Sequence, residues 1–419
     1  MGHNATRPQF LLAAVGLSAA LVLAYAGKAV CLDGETGFWS QNRYCYSDVR
    51  VLWGVRGFDV DALPYAGPPA DYREDYTLEY PPGLSFGAWA IALPTESLRA
   101  FFNLHALSFA VAAFAALWWL AGALRRAPGA SQWRLLGFAL SPTIVLFGMQ
   151  NWDLWAVAAA AWGLAAAARG RPFLAAVAWG IGAALKGWPA LLLVVLIAGP
   201  WAPRNRAGEN ATAQGPGNDW LRPGGMDLRP VVVAAAVWGA IQLPAIAISP
   251  GGWFDSVEVQ LDRGPNPEST PAAIAHFADE IVRSGFWDGT FTDLYGACAL
   301  TVLIVGLVYL VSRLRRQTLG PPDAALALVA LALLTAEFFS PQYVLWLLPV
   351  AVLSRIAWTP VLAVEAANAG VWLLYAVWLA HGSDPLFTGF LEGAQGLALV
   401  RTLALGWLFV AALAAKSPD

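Results

Sequence analysis

Apolar runs long enough to cross about 30 Å of hydrocarbon recur along nearly the whole chain, separated by short connections that collect Arg, Pro and Gly. The first run, 10–30, follows a segment bearing Arg7 and contains Ala24-Tyr25-Ala26, which has the spacing of a signal-peptidase site. Its length favours an uncleaved first span. The pattern predicts an all-α polytopic transmembrane helical bundle, a single integral membrane domain over 1–419 with about 10–12 spans. Two segments leave the count open. The run 83–94 is too short for a regular span, so it either enters and leaves on the outer side or crosses with help from residues 80–82. The stretch 172–199 is broken at Gly187-Trp188-Pro189 and counts once or twice accordingly.

Positive charge orders the connections. Arg125, Arg126 and Arg134 flank one, Arg169 and Arg171 the next, and Arg313, Arg315 and Arg316 another. These are expected on the cytoplasmic side. So is the Gly-, Pro- and Asn-rich stretch 201–229, which carries Arg204, Arg206, Arg222 and Arg229 and loses the apolar pattern, as a flexible linker does. Two larger loops fall on the opposite face: 31–82, rich in Tyr, Trp, Asp, Glu and Arg, and 249–293. The second contains an amphipathic helical pattern over 270–282, with Pro271 suited to its first turn.

Composition agrees. Hydrophobic residues make up 58% of the 419 and charged residues 13%, against about 25% charge in ordinary soluble domains, and mean hydropathy is +0.55. The net charge of −3 and the lack of a Lys/Arg-rich tract argue against a nucleic-acid partner. The 21 Trp, many beside span ends, fit interfacial belts. No Gly-rich phosphate cradle is present, which argues against a nucleotide-sugar or ATP donor. Cys31 and Cys45 bracket a polar stretch just after the first span. In an oxidising compartment their disulfide would close a loop of about 15 residues, worth about 3 kcal/mol in the chain-entropy model; in a cytosolic loop they would be two free thiols. Cys298, inside an apolar helix, reads as a small hydrophobe.

Polar side chains in so apolar a chain single themselves out. Asp48, in Tyr44-Cys45-Tyr46-Ser47-Asp48-Val49-Arg50, places a carboxylate in a structured loop at the bilayer surface. Lys186 stands alone between Lys28 and Lys416 in an apolar helix, where an ammonium either snorkels to the interface or meets an anion. Gln150, Asn151 and Asp153, where one span meets the next, must line a cavity or pair between helices. His105, His276 and His381 have no partners at ligand spacing, so no metal site is expected; Asp262 and Glu268 are the alternative holders of a divalent cation.

The order Asp48, Glu79-Tyr80-Pro81-Pro82, Ser141-Pro142, Gly148-Met149-Gln150-Asn151-Trp152-Asp153, Leu185-Lys186-Gly187-Trp188-Pro189 and Phe339-Ser340-Pro341-Gln342-Tyr343 resembles the polyprenol-phosphate-dependent C-type membrane glycosyltransferases. It is most similar to the branch of actinobacterial mannosyl- and arabinofuranosyltransferases that build envelope glycolipids. One departure stands out: mannosyltransferases of that branch tend to carry Ser-Trp-Asp-His-His where this chain has Ser340-Pro341-Gln342-Tyr343.

The resemblance implies an inverting transferase in the plasma membrane with its active site facing outward. It would move a sugar, mannose first, from a polyprenyl phosphate to a lipid-linked or cell-envelope glycan. The donor is a substrate, so no cofactor is expected. Asp48 would take the acceptor proton. Glu79 and Tyr80 would orient the acceptor or Asp48, with Glu79 otherwise a helix-capping carboxylate. Arg50 would pair with Asp48, bind phosphate or form a surface salt bridge. Lys186, with Arg263 as the alternative, would meet the lipid phosphate. Gln150, Asn151, Asp153, Gln342 and Tyr343 would contact substrate, unless Tyr343 belongs to the aromatic belt and Pro341 simply starts a helix. The competing expectation is a secondary transporter or a flippase for an envelope precursor, which would show two related halves and ionisable groups at the bilayer midplane.

Overall fold

The computed structural model describes residues 7–34, 37–67, 79–127, 130–199, 227–282, 289–382 and 384–415. The linker expected at 201–229 lies outside them apart from 227–229, as do parts of both large loops, 68–78 and 283–288.

Every regular element among the described residues is helical. Where no water is available to backbone amides, the helix satisfies them within one segment. The first span is α1 (Arg7–Ala29), followed by the short α2 (Phe38–Gln41) and α3 (Asp48–Val55) of the first loop. Then come α4 (Pro82–Ala92), α5 (Leu98–Leu124), α6 (Leu135–Ala139), α7 (Pro142–Phe147) and α8 (Asp153–Ala167). The stretch expected to break at Gly187 forms α9 (Pro172–Leu185), a 3₁₀ turn (Trp188–Leu191) and α10 (Leu192–Ala198). The C-terminal half consists of α11 (Arg229–Ile248), α12 (Pro250–Leu261), α13 (Thr270–Val282), α14 (Gly289–Arg315), α15 (Pro321–Leu334), a 3₁₀ turn (Pro341–Trp346) leading into α16 (Leu347–Leu353), α17 (Thr359–His381) and α18 (Thr388–Ala414).

Six of these stretches are long and apolar enough to cross a membrane: Pro8–Ala29, Leu98–Leu124, Arg229–Ile248, Asp293–Arg315, Thr359–His381 and Pro385–Ala414. Five shorter apolar stretches are interleaved with them: Asp153–Ala167, Pro172–Leu185, Trp188–Ala198, Pro321–Leu334 and Pro341–Leu353. The chain is a multi-pass membrane protein. The short α4 packs against α9, α11 and α5.

At the centre lies α8, whose Ala-rich sequence is buried on nearly every side between α5 and α9. Small side chains let the helix backbones approach closely, which is how helices associate where lipid is as apolar as the core. Gly163 shows the requirement: a Cβ there would run into the Trp179 indole, whose N–H instead donates to the Ala160 carbonyl at 3.2 Å. At the periphery α14 turns Leu300, Val302, Ile304, Val305 and Val308 outward. On a membrane protein such a face meets lipid rather than water.

Several charges inside the bundle have partners. Asp323 is paired with Arg355 at 2.8 Å, the Glu365 carboxylate accepts from the Ser141 and Thr143 hydroxyls, and the fully buried Arg401 donates to Asn368 Oδ1 at 3.0 Å and to the Glu268 carbonyl at 2.8 Å. An unpaired charge at such depth would be costly.

Candidate active site

Three interruptions of the apolar helices meet in one region: the turn 148–152 between α7 and α8, the end of α9 at Lys186, and the stretch 335–340 before Pro341. Extended backbone at Lys186 ends α9, so its side chain projects from a helix terminus. The first loop closes over these breaks and brings Asp48.

Asp48 is the first residue of α3, where helix N–H groups favour a carboxylate. Its amide donates to the Gln150 carbonyl at 2.8 Å. Ser47, immediately before it, turns its hydroxyl to the Met149 and Gln150 carbonyls at 2.9 and 3.1 Å. The carboxylate accepts from the Tyr46 hydroxyl at 2.7 Å, from the Tyr80 hydroxyl at 3.3 Å and from the Asn151 amide. Burial and the neighbouring Asp48 carboxylate push both phenols well up, which keeps them protonated as donors. For Asp48 burial is the larger influence and raises its pKa, opposed by the Tyr46 hydrogen bond and by the charge of Lys186.

Lys186 donates to Asp153 Oδ2 at 3.2 Å and stands 5.6 Å from the centre of the Tyr80 ring. The fully buried Asp153 accepts on its other oxygen from the Trp346 indole at 2.8 Å. Trp346 stacks on Tyr343, ring centres 4.2 Å apart, and on Trp188 at 5.6 Å. Gln150 donates to Gln342 Oε1 at 3.3 Å, and Ser340 donates to the same oxygen. Asp48, Tyr80, Gln150, Asn151, Asp153, Lys186, Gln342 and Tyr343 thus form one polar cluster with an aromatic wall.

Three candidates lie elsewhere. Glu79 is held by Arg56, whose Nε and Nη2 reach Oε2 at 3.0 and 2.6 Å; it touches Asp48 through charge alone. Arg50 turns away from Asp48 and donates to the Cys31 carbonyl at 3.0 Å, beside the Cys31–Cys45 disulfide. Arg263 packs over the Phe338 ring at 4.8 Å, and Phe338 in turn lies 6.2 Å from Tyr343.

Sequence reasoning missed several supports. Tyr46 sits two residues before Asp48 among other aromatics. Tyr65, at φ 69°, donates to the Tyr80 carbonyl at 2.6 Å and to Ser85 Oγ at 3.1 Å, fixing the approach of Tyr80. Asn266 grips the Phe339 backbone on both sides, accepting from its amide at 2.8 Å and donating to its carbonyl at 3.2 Å, while Asn368 donates to the Pro341 carbonyl at 2.8 Å. These two hold the segment that presents Gln342. Nothing in the local pattern marks them, because their partners are helices away. Among the described residues no group of three or more His, Cys, Asp or Glu side chains comes together as a cation cage.

The arrangement can accept a proton at Asp48 and offer cationic and aromatic surfaces a few side chains away. A family model, glycosyltransferase family 87, matches residues 76–341. The matched span contains Tyr80, Gln150, Asn151, Asp153 and Lys186; Asp48 precedes it, and Gln342 follows its last residue. No curated protein matches the chain.

Proposed function

Since the chain belongs to glycosyltransferase family 87, a C-type membrane family, we propose that it is an inverting transferase that moves a sugar from a polyprenyl phosphate to a lipid-linked or cell-envelope glycan. Mannose is the first sugar to test. The observation that carries this reading is the Asp48 carboxylate, held by three neutral donors from three separate segments and set near the Lys186 charge. A carboxylate so fixed, with hydrogen bonds from neutral groups and no salt bridge to offset its charge, suits proton abstraction better than a surface role. The transporter or flippase reading is not favoured by the family.

In this reading the acceptor hydroxyl oxygen attacks the anomeric carbon. Its proton passes to Asp48 as the bond from that carbon to the phosphate oxygen breaks, and the bonding pair leaves with the polyprenyl phosphate. A single displacement of this kind inverts the anomeric centre and requires one base. The departing phosphate needs positive charge or dipoles. Lys186 supplies the nearer cation and Arg263 the more distant one. Gln150, Asn151 and Gln342 serve as hydroxyl partners for the sugar, beside the stacked rings of Tyr343, Trp346 and Trp188. The arginine distribution and the Cys31–Cys45 pair support a site on the extracytoplasmic side of the plasma membrane.

The test is to incubate purified protein with polyprenyl-phosphate mannose, and separately with the arabinofuranose donor, plus a glycolipid acceptor. Wild type is expected to give an anomerically inverted product and Asp48→Asn almost none. Equal turnover by the two proteins would remove Asp48 as base. Absence of transfer from every polyprenyl-phosphate sugar would remove the donor assignment.

A further inference from the structure

Lys28 lies in the last turn of α1 and is only 3% exposed. Its ammonium donates to the Tyr44 carbonyl at 3.0 Å and sits 5.4 Å from the centre of the Trp372 ring. An ammonium carries three donors and a full charge, and enclosing it away from water calls for an anion. No ion pair recorded among the described residues includes it.

Two other pairs of charges near the site are matched. Lys186 is paired with Asp153, and Glu79 with Arg56. Asp48 receives only neutral hydrogen bonds, from Tyr46, Tyr80 and Asn151. Arg50 gives its hydrogen bond to the Cys31 carbonyl and Arg263 lies over the Phe338 ring, so Lys28 and Asp48 are the buried cation and carboxylate at this end of the first loop that no salt bridge offsets. The short segment 44–48 connects them: Lys28 binds its first carbonyl, and Tyr46 reaches from its middle to Asp48 Oδ1. The two charges also interact electrostatically.

We propose that Lys28 is a positioning residue for Asp48: its ammonium, enclosed behind residues 44–47, anchors that segment and supplies the counter-charge that keeps the carboxylate ionised. The inference rests on Asp48 being the base. The titratable and charged groups that face Asp48 are Tyr46, Glu79, Tyr80, Lys186 and Tyr343, with Lys28 behind the segment. Of these, Lys28 is the cation not already offset by a carboxylate at salt-bridge distance. A lysine in the last helical turn also complements the helix dipole, and this would stabilise α1 without acting on Asp48.

The experiment compares Lys28→Gln, which can still donate to the Tyr44 carbonyl but has no charge, with Lys28→Arg, which keeps the charge. The pH dependence of kcat/KM is measured for each with polyprenyl-phosphate mannose and a glycolipid acceptor. Loss of the cation raises the proton affinity of Asp48, so the acid limb of Lys28→Gln should move about one pH unit upward. Below that limb its turnover should fall about tenfold more than at high pH, with Lys28→Arg close to wild type.

A uniform loss at all pH values with an unmoved midpoint would overturn the proposal and leave Lys28 as a helix cap. The carboxyl infrared band of Asp48, identified as wild type minus Asp48→Asn, gives a readout without turnover. If wild type transfers sugar but this band titrates identically in Lys28→Gln, the inference fails and the transferase reading stands. If no donor is turned over yet the band shifts, the reading fails and the charge coupling stands.

Discussion

The ammonium of Lys186 lies 3.2 Å from the carboxylate of Asp153, 33 residues earlier in the chain. It joins the end of α9 to the start of α8 at the level where both helices are interrupted. Asp153 has no exposed side-chain surface and Lys186 little, so removing either partner leaves a buried charge without its complement. Lys186→Met alone, or Asp153→Asn alone, should destabilise the protein by about 3–5 kcal/mol. The double variant should lose less than the sum of the two. Denaturation midpoints in detergent measure this, and additive losses would show that the two charges do not act as a pair.

Asp48→Asn should lower kcat by about 10²–10⁴-fold while leaving donor affinity near wild type, since the amide preserves shape but cannot take a proton. The wild-type pH profile carries a second expectation. A base works ionised, and burial holds Asp48 above the usual carboxylate range. The kcat/KM value should therefore fall as pH is lowered through a point above about 4, the ordinary aspartate value. Rates that stay flat below that point would indicate another base.

Breaking the Cys31–Cys45 link should loosen the segment that carries Tyr46 and Asp48. The pair is separated by 14 residues, and the chain-entropy model assigns a loop of that size about 3 kcal/mol. Paired Cys31→Ala and Cys45→Ala substitutions should lower the unfolding midpoint and reduce kcat/KM. Unchanged activity would show that Ser47 and its bonds to the 149–150 carbonyls suffice to hold the segment.

Glu268 adds a pH dependence of stability. Burial lifts its carboxyl to about 7, and Oε2 has no hydrogen-bond partner. A carboxyl that holds its proton more tightly when folded stabilises the fold below its unfolded value near 4.5 and ceases to do so as pH rises through about 7. The effect is on the order of 3 kcal/mol at full ionisation. Wild type should unfold more readily at pH 8 than at pH 5, and Glu268→Gln should remove most of that difference.

Much of this site could be read from the chain because a polar side chain in an apolar run must be reconciled with its surroundings. Asn151, Asp153 and Lys186 drew attention on that ground, and the break at Gly187-Trp188-Pro189 is where α9 ends. What could not be read was which polar group meets which. Lys186 called for an anion, and the structure supplies Asp153 within the protein. Glu79 stood beside the Tyr80 motif, yet its partner is Arg56. Arg401, a lone cation well inside the last apolar run, and Lys28, which resembles any span-end lysine, meet groups on distant segments: Asn368 and the Glu268 carbonyl for the first, the Tyr44 carbonyl and the Trp372 ring for the second. Spacing along one helix holds no record of these. The register of the interhelical packing fixes them, and that depends on where Ala and Gly allow backbones to approach.

The bonds from Ser47 to the 149 and 150 carbonyls span 102 and 103 residues. On the ribosome, residues 47–48 therefore emerge long before the turn that receives them exists. Ser47 must wait without these acceptors while four further helical segments, α4 to α7, are made. The polar cluster around Asp48 is then a late product of biogenesis, and a chain truncated before that turn would carry its aspartate without the 149–150 carbonyls and the Asn151 amide that fix it.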